Sequence, residues 1–482
     1  MEIFGEYDVV VVGGGTAGVA AAIASARAGA NTILIERFGA LGGQMNVSGP
    51  PGFSFAHLWN NYGEQCLAGI VEETHHRLEK EGLAAPYPKP EDRNANAFAL
   101  VDPDWWGLLI FEMMTENHVN LLLHSLAVDV VKEGDAVKGV IVENTSGRMA
   151  VLGKIIVECT GEGDIAMRAG APYEQVSKDK FEIEPPSISF TMDGVDWEKV
   201  LKHLNESPED VIFQRREMFL DPEEGIKFRK EYLKKVKSIN DMLLLGSISY
   251  RKLSKELISK GELHPYGDLG FFFTPRQGGR VQAIFQHSSQ VHQCNTTDVR
   301  DLTAGEVEAR RQVVIALKAA RKYIPGFENA YLTRITTYLR IRETRRIMGD
   351  YKLTLDDVYE SKKFKDVIAK SVMTMGGHHV ANVDTLSQVT RKGAPKGASF
   401  DLPYRILVPQ KVENLLVAGK MVSTDRECYL RFLPETMLTG QAAGVAAAVC
   451  AKKGVTPRQL EKDIKPVQDI LVKQGAILFG TR

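Results

Sequence analysis

The sequence predicts an α/β fold, a parallel sheet wrapped by helices, with an α+β module inserted into it. Three observations predict this. A strand, glycine loop, helix and second strand open the chain in "VVVVGGGTAGVAAAIASARAGANTILIER", Val9 to Arg37. A run of strands joined by tight turns follows Val119. A further aliphatic strand and a small-residue helix return only after Asp401, far from the first pair.

Each element has a local reason. "DVVVVG" and "NTILIER" are unbroken apolar strands, the pattern of a sheet covered on both faces, and "TAGVAAAIASARAGA" between them reads as a helix that Gly29 ends. Asp102 to Asn117 reads as another helix. "VNLLLHSLAVDVVKEGDAVKGVIVENTSGRMAVLGKIIVECTG" reads as a β-meander with turns at "EGD" and "TSG", ending in a buried strand. From about Pro172 to Val380 the character changes. Charged helices such as "EEGIKFRKEYLKKVKSI" and "GEVEARRQVVIALKAARKYI" alternate with pieces such as "LGFFFTPRQGGR". After Asp401 come "LPYRILVP", the strand "NLLVAGK" and the helix "ETMLTGQAAGVAAAVCAKKG". The sheet domain is therefore expected to be discontinuous, residues 1–171 and 395–482, with a substrate or cap domain at 172–394.

Composition narrows the function. Lys plus Arg number 60 against 61 Asp plus Glu, so there is no global field to draw in nucleic acid or an anionic membrane. No apolar run reaches the roughly 18 residues of a membrane span, and no export signal is visible at the N-terminus, so a cytoplasmic location is expected. Cys66, Cys159, Cys294, Cys428 and Cys450 are scattered and form no C-x-x-C pair, which argues against structural zinc, an iron–sulfur cluster or a disulfide relay. Each reads as a small core hydrophobe.

Gly13, Gly15 and Gly18 have the G-x-G-x-x-G spacing directly between a strand and a helix, and Glu36 closes the next strand. In that context Gly13 permits a tight turn, Gly15 lets the backbone approach a pyrophosphate, and Gly18 lets helix and sheet pack closely. The helix N-terminus offers free N–H groups to the phosphates, and Glu36 accepts from an adenosine ribose. This identifies a dinucleotide. The Gly42–Gly43 pair in "RFGALGGQ" points to a second stretch of cofactor, as a flavin extended along the domain requires.

These segments resemble the FAD-dependent oxidoreductases of the glutathione-reductase-like superfamily, in the branch that includes fumarate reductase and succinate dehydrogenase flavoproteins. More narrowly, "IRETRRIMGDYKLT" and "FLPETMLTGQAAGVAAA" are similar to segments shared by the FAD-dependent oxidoreductase family. The resemblance runs from Tyr7 to about Ala171 and from Asp298 to about Gly454. It implies a Rossmann-like FAD-binding domain; "ALGGQMNVSG" holds no histidine of the kind that links flavin covalently in some relatives, so noncovalent FAD is expected. It also implies that Gly13, Gly15 and Gly18, with Thr16 and Ala17, flank the pyrophosphate, and that Glu36 and Arg37 stand at the ribose. Gly42, Gly43 and Gln44 would run beside the ribityl and flavin portion, Val128 would clamp the adenine, and Thr160, Gly161 and Gly419 would line the cofactor's path. Backbone groups around Phe432, Leu433 and Glu435 would face the pyrimidine edge, where the helix starting near Pro434 stabilises negative charge. Many relatives carry an acid where this chain has Lys420, and Asp425 is the substitute named for it.

Catalytic groups are harder to read. Arg431 is a candidate to fix a substrate carboxylate or steady reduced flavin, and His378 and His379 in "TMGGHHVANVD" are candidate acid or base groups. No metal site is expected. The run Arg340, Arg342, Glu343, Arg345 and Arg346 reads as an interface in which Glu343 pairs with an arginine. Arg276 and Arg280 read as part of a surface hairpin or loop, with an anion clamp as the alternative. The function expected is hydride transfer between flavin N5 and a small organic substrate. The alternatives are a fumarate-reductase-like reduction of an activated alkene, and a flavoprotein subunit of a larger complex or RNA-modifying flavoprotein. Without cysteine clusters, outside electrons are expected to come from NAD(P)H, a free flavin or a partner protein, and with no second G-x-G-x-x-G no dedicated NAD(P)H domain is expected.

Overall fold

The computed structural model describes residues 1–48, 55–90, 93, 97–175, 184–213, 221–243, 246–372, 394, 397–428 and 430–482. Its organising element is β1, Glu2–Val12, whose four consecutive valines, Val9 to Val12, are buried on both faces. β1 pairs in parallel with β2, Thr32–Ile35, which pairs in parallel with β3, Asn120–Leu122. On its other edge β1 pairs in parallel with β6, Gly147–Glu158. The sequence's meander is β4, Leu126–Glu133, β5, Ala136–Asn144, and β6, joined antiparallel through Gly134 and Gly147, both at positive φ. The last part of β6, Ile156 to Glu158, also pairs in parallel with β7, Leu415–Val417. A strand more than 250 residues downstream thus completes a seven-stranded sheet. This is the α/β, largely parallel architecture that the apolar strands predict.

Helix α1, Thr16–Arg27, lies on this sheet and is itself covered by α6, Leu433–Lys453. Both are rich in alanine and glycine because their backbones nearly touch. A Cβ on Gly440 would stand 2.0 Å from the Ala17 carbonyl oxygen, and one on Gly444 2.1 Å from that of Ala21. α2, Ile70–Lys80, and α3, Pro103–Glu116, fill the same side, α3 starting at an Asp102 side-chain cap. The short α4, Asp164–Ala169, follows β6.

A second sheet of five antiparallel strands orders Ser247–Ser249, Gly270–Arg276, Arg280–Phe285, Phe190–Asp193 and Tyr331–Ile335. "LGFFFTPRQGGR" is its central hairpin, turning at Gly278 and Gly279. Phe190, Phe271, Phe273, Phe285 and Phe327 form its core. α5, Val299–Tyr323, packs on them through Ala309, Val313, Ala316 and Ala320. All five cysteines are buried and stand outside any disulfide. Among the described residues no helix is long and apolar enough to cross a membrane.

Candidate functional site

Where β1 ends, Gly13 turns the chain at φ +101° and donates its N–H to the Ile35 carbonyl at 2.8 Å, tying the loop to the end of β2. A Cβ at Gly13 would meet the Cys159 carbonyl oxygen at 2.6 Å, and one at Gly18 would meet that of Gly13 at 1.7 Å. Both glycines are demanded by the protein's own packing. Gly15 is different. Its φ of −72° suits any residue, and an added Cβ would find nothing within 4 Å. The second glycine pair closes over it: Gly42 donates to the Gly14 carbonyl at 2.8 Å, and a Cβ on Gly43 would stand 2.8 Å from the Gly15 Cα.

A cavity of about 800 Å³ lies over this loop. Gly13, Gly15, Thr16 and Ala17 line it together with Glu36, Arg37 and Phe38, Thr160, Gly161 and Glu162, and Gln44, Gly419, Lys420, Arg431 and Leu433. An adjoining hollow of about 400 Å³ shares Gly13, Glu36 and Thr160 and is walled by Ser125, Leu126 and Ala127. Another, of about 480 Å³, shares Gln44, Ile341, Lys420, Arg431 and Leu433 and adds Gln286, His287, Arg340, Arg342 and Phe432. The three spaces form one row, from the meander past the glycine loop to the N-terminus of α6.

The groups along this row are held in place by their neighbours. Glu36 accepts from the Gly14 N–H at 2.6 Å and the Phe38 N–H at 3.0 Å, and burial still raises its pKa against those bonds. Burial works against the Arg37 charge, but Glu162, Tyr338 and Glu36 outweigh it and raise its pKa, and its guanidinium lies over Phe38 and Tyr338. Burial raises Glu162 and lowers Lys420, whose closest approach is 3.9 Å. Lys420 donates to the Ile341 carbonyl at 2.9 Å, and Gln44 donates to the same oxygen. Thr16 and Thr436 are hydrogen-bonded at 2.8 Å, so the first turns of α1 and α6 meet at the cavity.

This donor set fits an extended dinucleotide. α1 has no side-chain cap and no acid in its first turn, which leaves its free N–H groups and positive dipole end for an anion. The space that a side chain at Gly15 would fill is where a diphosphate can approach those amides. The Glu36 carboxylate, held by two backbone N–H groups, keeps lone pairs for ribose hydroxyls. α6 likewise starts without a side-chain cap, at Phe432.

A family model described as "FAD dependent oxidoreductase" matches residues 8–471. The chain belongs to the FAD dependent oxidoreductase family. Its cofactor is FAD. Within this family assignment, the chain is similar to dihydrolipoyl dehydrogenase of Trypanosoma brucei brucei, 40% identical over 82 residues, which are 17% of this chain and 15% of that enzyme. The chain thus matches less than a sixth of that relative's length. Among solved structures, a geranylgeranyl bacteriochlorophyll reductase-like protein of Thermoplasma acidophilum aligns at TM-score 0.46 and 12% identity, over 98% of this chain and 84% of that one. The myxobacterial halogenase CndH aligns at 0.47 and 11%, over 95% and 78%. L-proline dehydrogenase from P. horikoshii aligns at 0.42 and 12%, over 99% and 100%.

Of the residues singled out in the sequence, Gly13, Gly15, Thr16, Ala17, Glu36, Arg37, Gly43, Gln44, Thr160, Gly161, Gly419, Arg431 and Leu433 line the main cavity, and Phe432 lines the hollow beyond it. Four stand elsewhere. Gly18 and Gly42 shape the loop from behind. Val128 is the unpaired residue of a β-bulge in β4, next to the Ala127 that lines the first hollow. Glu435 turns its carboxylate to the Ser371 hydroxyl at 3.1 Å. Asp425 is likewise no substitute for an acid at Lys420: it pairs with Lys352 at 3.1 Å and accepts from the Leu355 N–H. His378 and His379 lie outside the described residues. Arg276 pairs with Asp102 and Asp104, and Arg280 ends the hairpin turn.

Glu343 pairs with Arg346 at 3.3 Å and with Arg426 at 2.9 Å, as an interface role requires. Arg345 likewise pairs with Asp164 at 2.8 Å, but Arg340 and Arg342 depart from the interface reading because they line the hollow beyond Gln44. No local signal separates these two from Arg345 and Arg346, and Ile341 between them lines the same hollow. Away from the site, His75, His76 and Glu79 of α2 bring ligand atoms within 4.8 Å of one another, but Glu79 already accepts from the Tyr87 N–H and pairs with His76.

Proposed function

We propose that this chain is an FAD-dependent oxidoreductase that exchanges a hydride with a small organic molecule admitted to the hollow beside Gln44, Arg431 and Phe432. The observation that carries this reading is the row of spaces. A cofactor resting on the glycine loop would end where the third hollow begins, with Leu433, Lys420 and Arg431 common to both. When bound, FAD supplies the electron-pair chemistry, accepting or delivering hydride at its isoalloxazine N5.

The chain's own residues supply the rest. The first turn of α6 sets a positive dipole end beside the shared wall, where it would stabilise negative charge on a reduced flavin. Lys420 and Arg431 add positive charge at the same wall. Ile341, Phe432 and Leu433 are the apolar part of a hollow otherwise lined by Arg, Lys, Gln and His side chains. His287 brings an imidazole there, the side chain suited to moving a proton near neutral pH. Placement in the branch that includes fumarate reductase is part of the same proposal. It is supported by the convergence of the two segments that carried the resemblance, Ile341–Arg342 and Leu433–Thr436, on one cavity system.

The test is anaerobic. The purified, FAD-loaded protein is photoreduced, then mixed with oxidised small molecules, while the oxidised form is mixed with reduced acids, amines and alcohols. At least one compound is expected to recolour or bleach the flavin in a single exponential faster than buffer does. A flavin that bleaches with light yet responds to no small molecule would contradict the proposal and favour a subunit role.

A further inference from the structure

The turn between β6 and α4 is a wall of the cofactor cavity that is shaped from outside. Thr160, Gly161 and Glu162 line the main cavity, and Thr160, Glu162 and Asp164 line the adjoining hollow. Gly161 and Gly163 stand at φ +90° and +71°, so the backbone there is intrinsically loose. The wholly buried Glu158 carboxylate steadies its two ends, accepting from the N–H groups of Thr160 at 2.8 Å, Ile165 at 2.6 Å and Ala166 at 3.1 Å.

The middle of the turn is held by the arginine-rich run. The Thr344 hydroxyl donates to the Gly161 carbonyl at 2.9 Å, and the Arg345 guanidinium donates to the Glu162 carbonyl at 2.9 Å and to the Asp164 carboxylate at 2.8 Å. Both side chains are withdrawn from solvent, Thr344 at 5% exposure and the Arg345 side chain at 11%. Neither lines any of the three spaces in the row. The run is itself anchored on both sides of these two residues. Arg340 exchanges backbone hydrogen bonds with Ser187, and the Ile347 N–H donates to the Met421 carbonyl at 2.8 Å. Packing agrees, since a Cβ at Gly163 would stand 3.0 Å from the Ile347 Cδ1.

We infer that Thr344 and Arg345 are positioning residues for FAD: they grip the middle of the turn from behind, so that the cavity face of Thr160, Gly161 and Glu162 is formed before the cofactor arrives. The inference rests on FAD lying in the cavity over the glycine loop, not on which molecule exchanges a hydride with it. Carbonyl oxygens can be held only by donors, and a guanidinium's fork reaches a carbonyl and a carboxylate at once. A wall fixed in advance spares the cofactor the cost of ordering it, which shows as tighter binding. The coupling is reciprocal: if the clamp strengthens FAD binding, bound FAD steadies the clamp.

Two measurements on the full chain test this: the FAD dissociation constant, from flavin fluorescence on titrating the cofactor-stripped protein, and amide hydrogen exchange of residues 343–348 with and without FAD. Thr344→Val keeps the side chain's shape without its donor and is expected to raise the dissociation constant about fourfold, and Arg345→Gln about tenfold. Lys352→Gln breaks ion pairs with Glu174 and Asp425 without touching the turn, and is expected to leave it within about twofold of wild type. Saturating FAD is expected to slow exchange in 343–348 of the wild type about fivefold or more, and less in Thr344→Val. Dissociation constants within twofold of wild type in Thr344→Val and Arg345→Gln, an equal rise in Lys352→Gln, or exchange in the wild type that FAD leaves unchanged would overturn the inference. The last needs no variant to fold, and if Arg345→Gln does not fold, Thr344→Val decides on its own. A chain that shows the expected pattern while its flavin reacts with no small molecule would leave the inference standing and defeat the hydride-transfer reading.

Discussion

Two glycines three residues apart do opposite work. Gly18 exists for the fold, because its missing Cβ makes room for the Gly13 carbonyl, whereas Gly15 has an ordinary backbone and open space in front of it. Substitution separates these roles. Gly15→Val is expected to leave the melting temperature of the cofactor-free protein within a few degrees of wild type, in keeping with a change of roughly 0.5 kcal/mol, while abolishing FAD retention on desalting. Gly18→Ala is expected to destabilise the apoprotein itself by about 1–3 kcal/mol, the usual size of an overpacking defect. If Gly15→Val kept its flavin, the diphosphate would not lie where the cavity puts it. His287 makes a second residue-scale case. His287→Gln is expected to slow flavin reduction or reoxidation by the reactive compound about a hundredfold or more without changing FAD content, as loss of a general acid or base does. An unchanged rate in rapid-mixing experiments would remove it from the mechanism.

At the scale of elements, the contact of α6 with α1 fixes where both N-termini meet, so the cavity depends on a backbone approach that only glycine permits. Gly444→Ala would press a methyl against the Ala21 carbonyl. It is expected to cost about 2–3 kcal/mol in urea unfolding and to weaken FAD binding from two turns away, because Ala17 and Thr436 line the cavity. A fully stable variant would mean that the helices can slide apart freely. The β1–α1–β2 unit and the meander were legible in the sequence because their periodicity and turn glycines are local. The five-stranded sheet was not, since its strands are short and pair across long separations, as Phe190 does with Phe285 and Ile335. The same distinction holds in the site. The glycine loop announced itself by spacing, and Glu343 by its charged neighbours, but nothing local said that Arg340 and Arg342 turn inward while Arg346 pairs with Glu343 and Glu174. Val128 and Glu435, whose backbones the resemblance assigns to the cofactor, do not themselves line the three spaces.

At the scale of the whole molecule, buried histidines make stability sensitive to acid. His75 on α2 is wholly buried, with Glu79 3.9 Å from its Nδ1 and His76 and Tyr87 beside its ring. Burial pushes it down to about 4. His292, close to Tyr266, is also pushed down to about 4, by burial and then by Arg342 and His264. A base whose folded pKa is depressed gives stability that is complete above its unfolded pKa, about 6.5, and is lost as pH falls toward the folded value. Unfolding free energy is therefore expected to drop between about pH 6.5 and 4, by roughly 2–3 kcal/mol for His75, and His75→Phe should flatten that part of the profile. A profile unchanged by the substitution would assign the acid response elsewhere. The larger question concerns the row of spaces that joins the meander, the glycine loop and the α6 terminus. The direct measurement is FAD uptake by the cofactor-stripped chain: FAD is added, the excess removed by desalting, and absorbance and circular dichroism are recorded. About one FAD per folded chain, with flavin dichroism induced by the protein, is the expected result; a correctly folded chain that emerges colourless would contradict it.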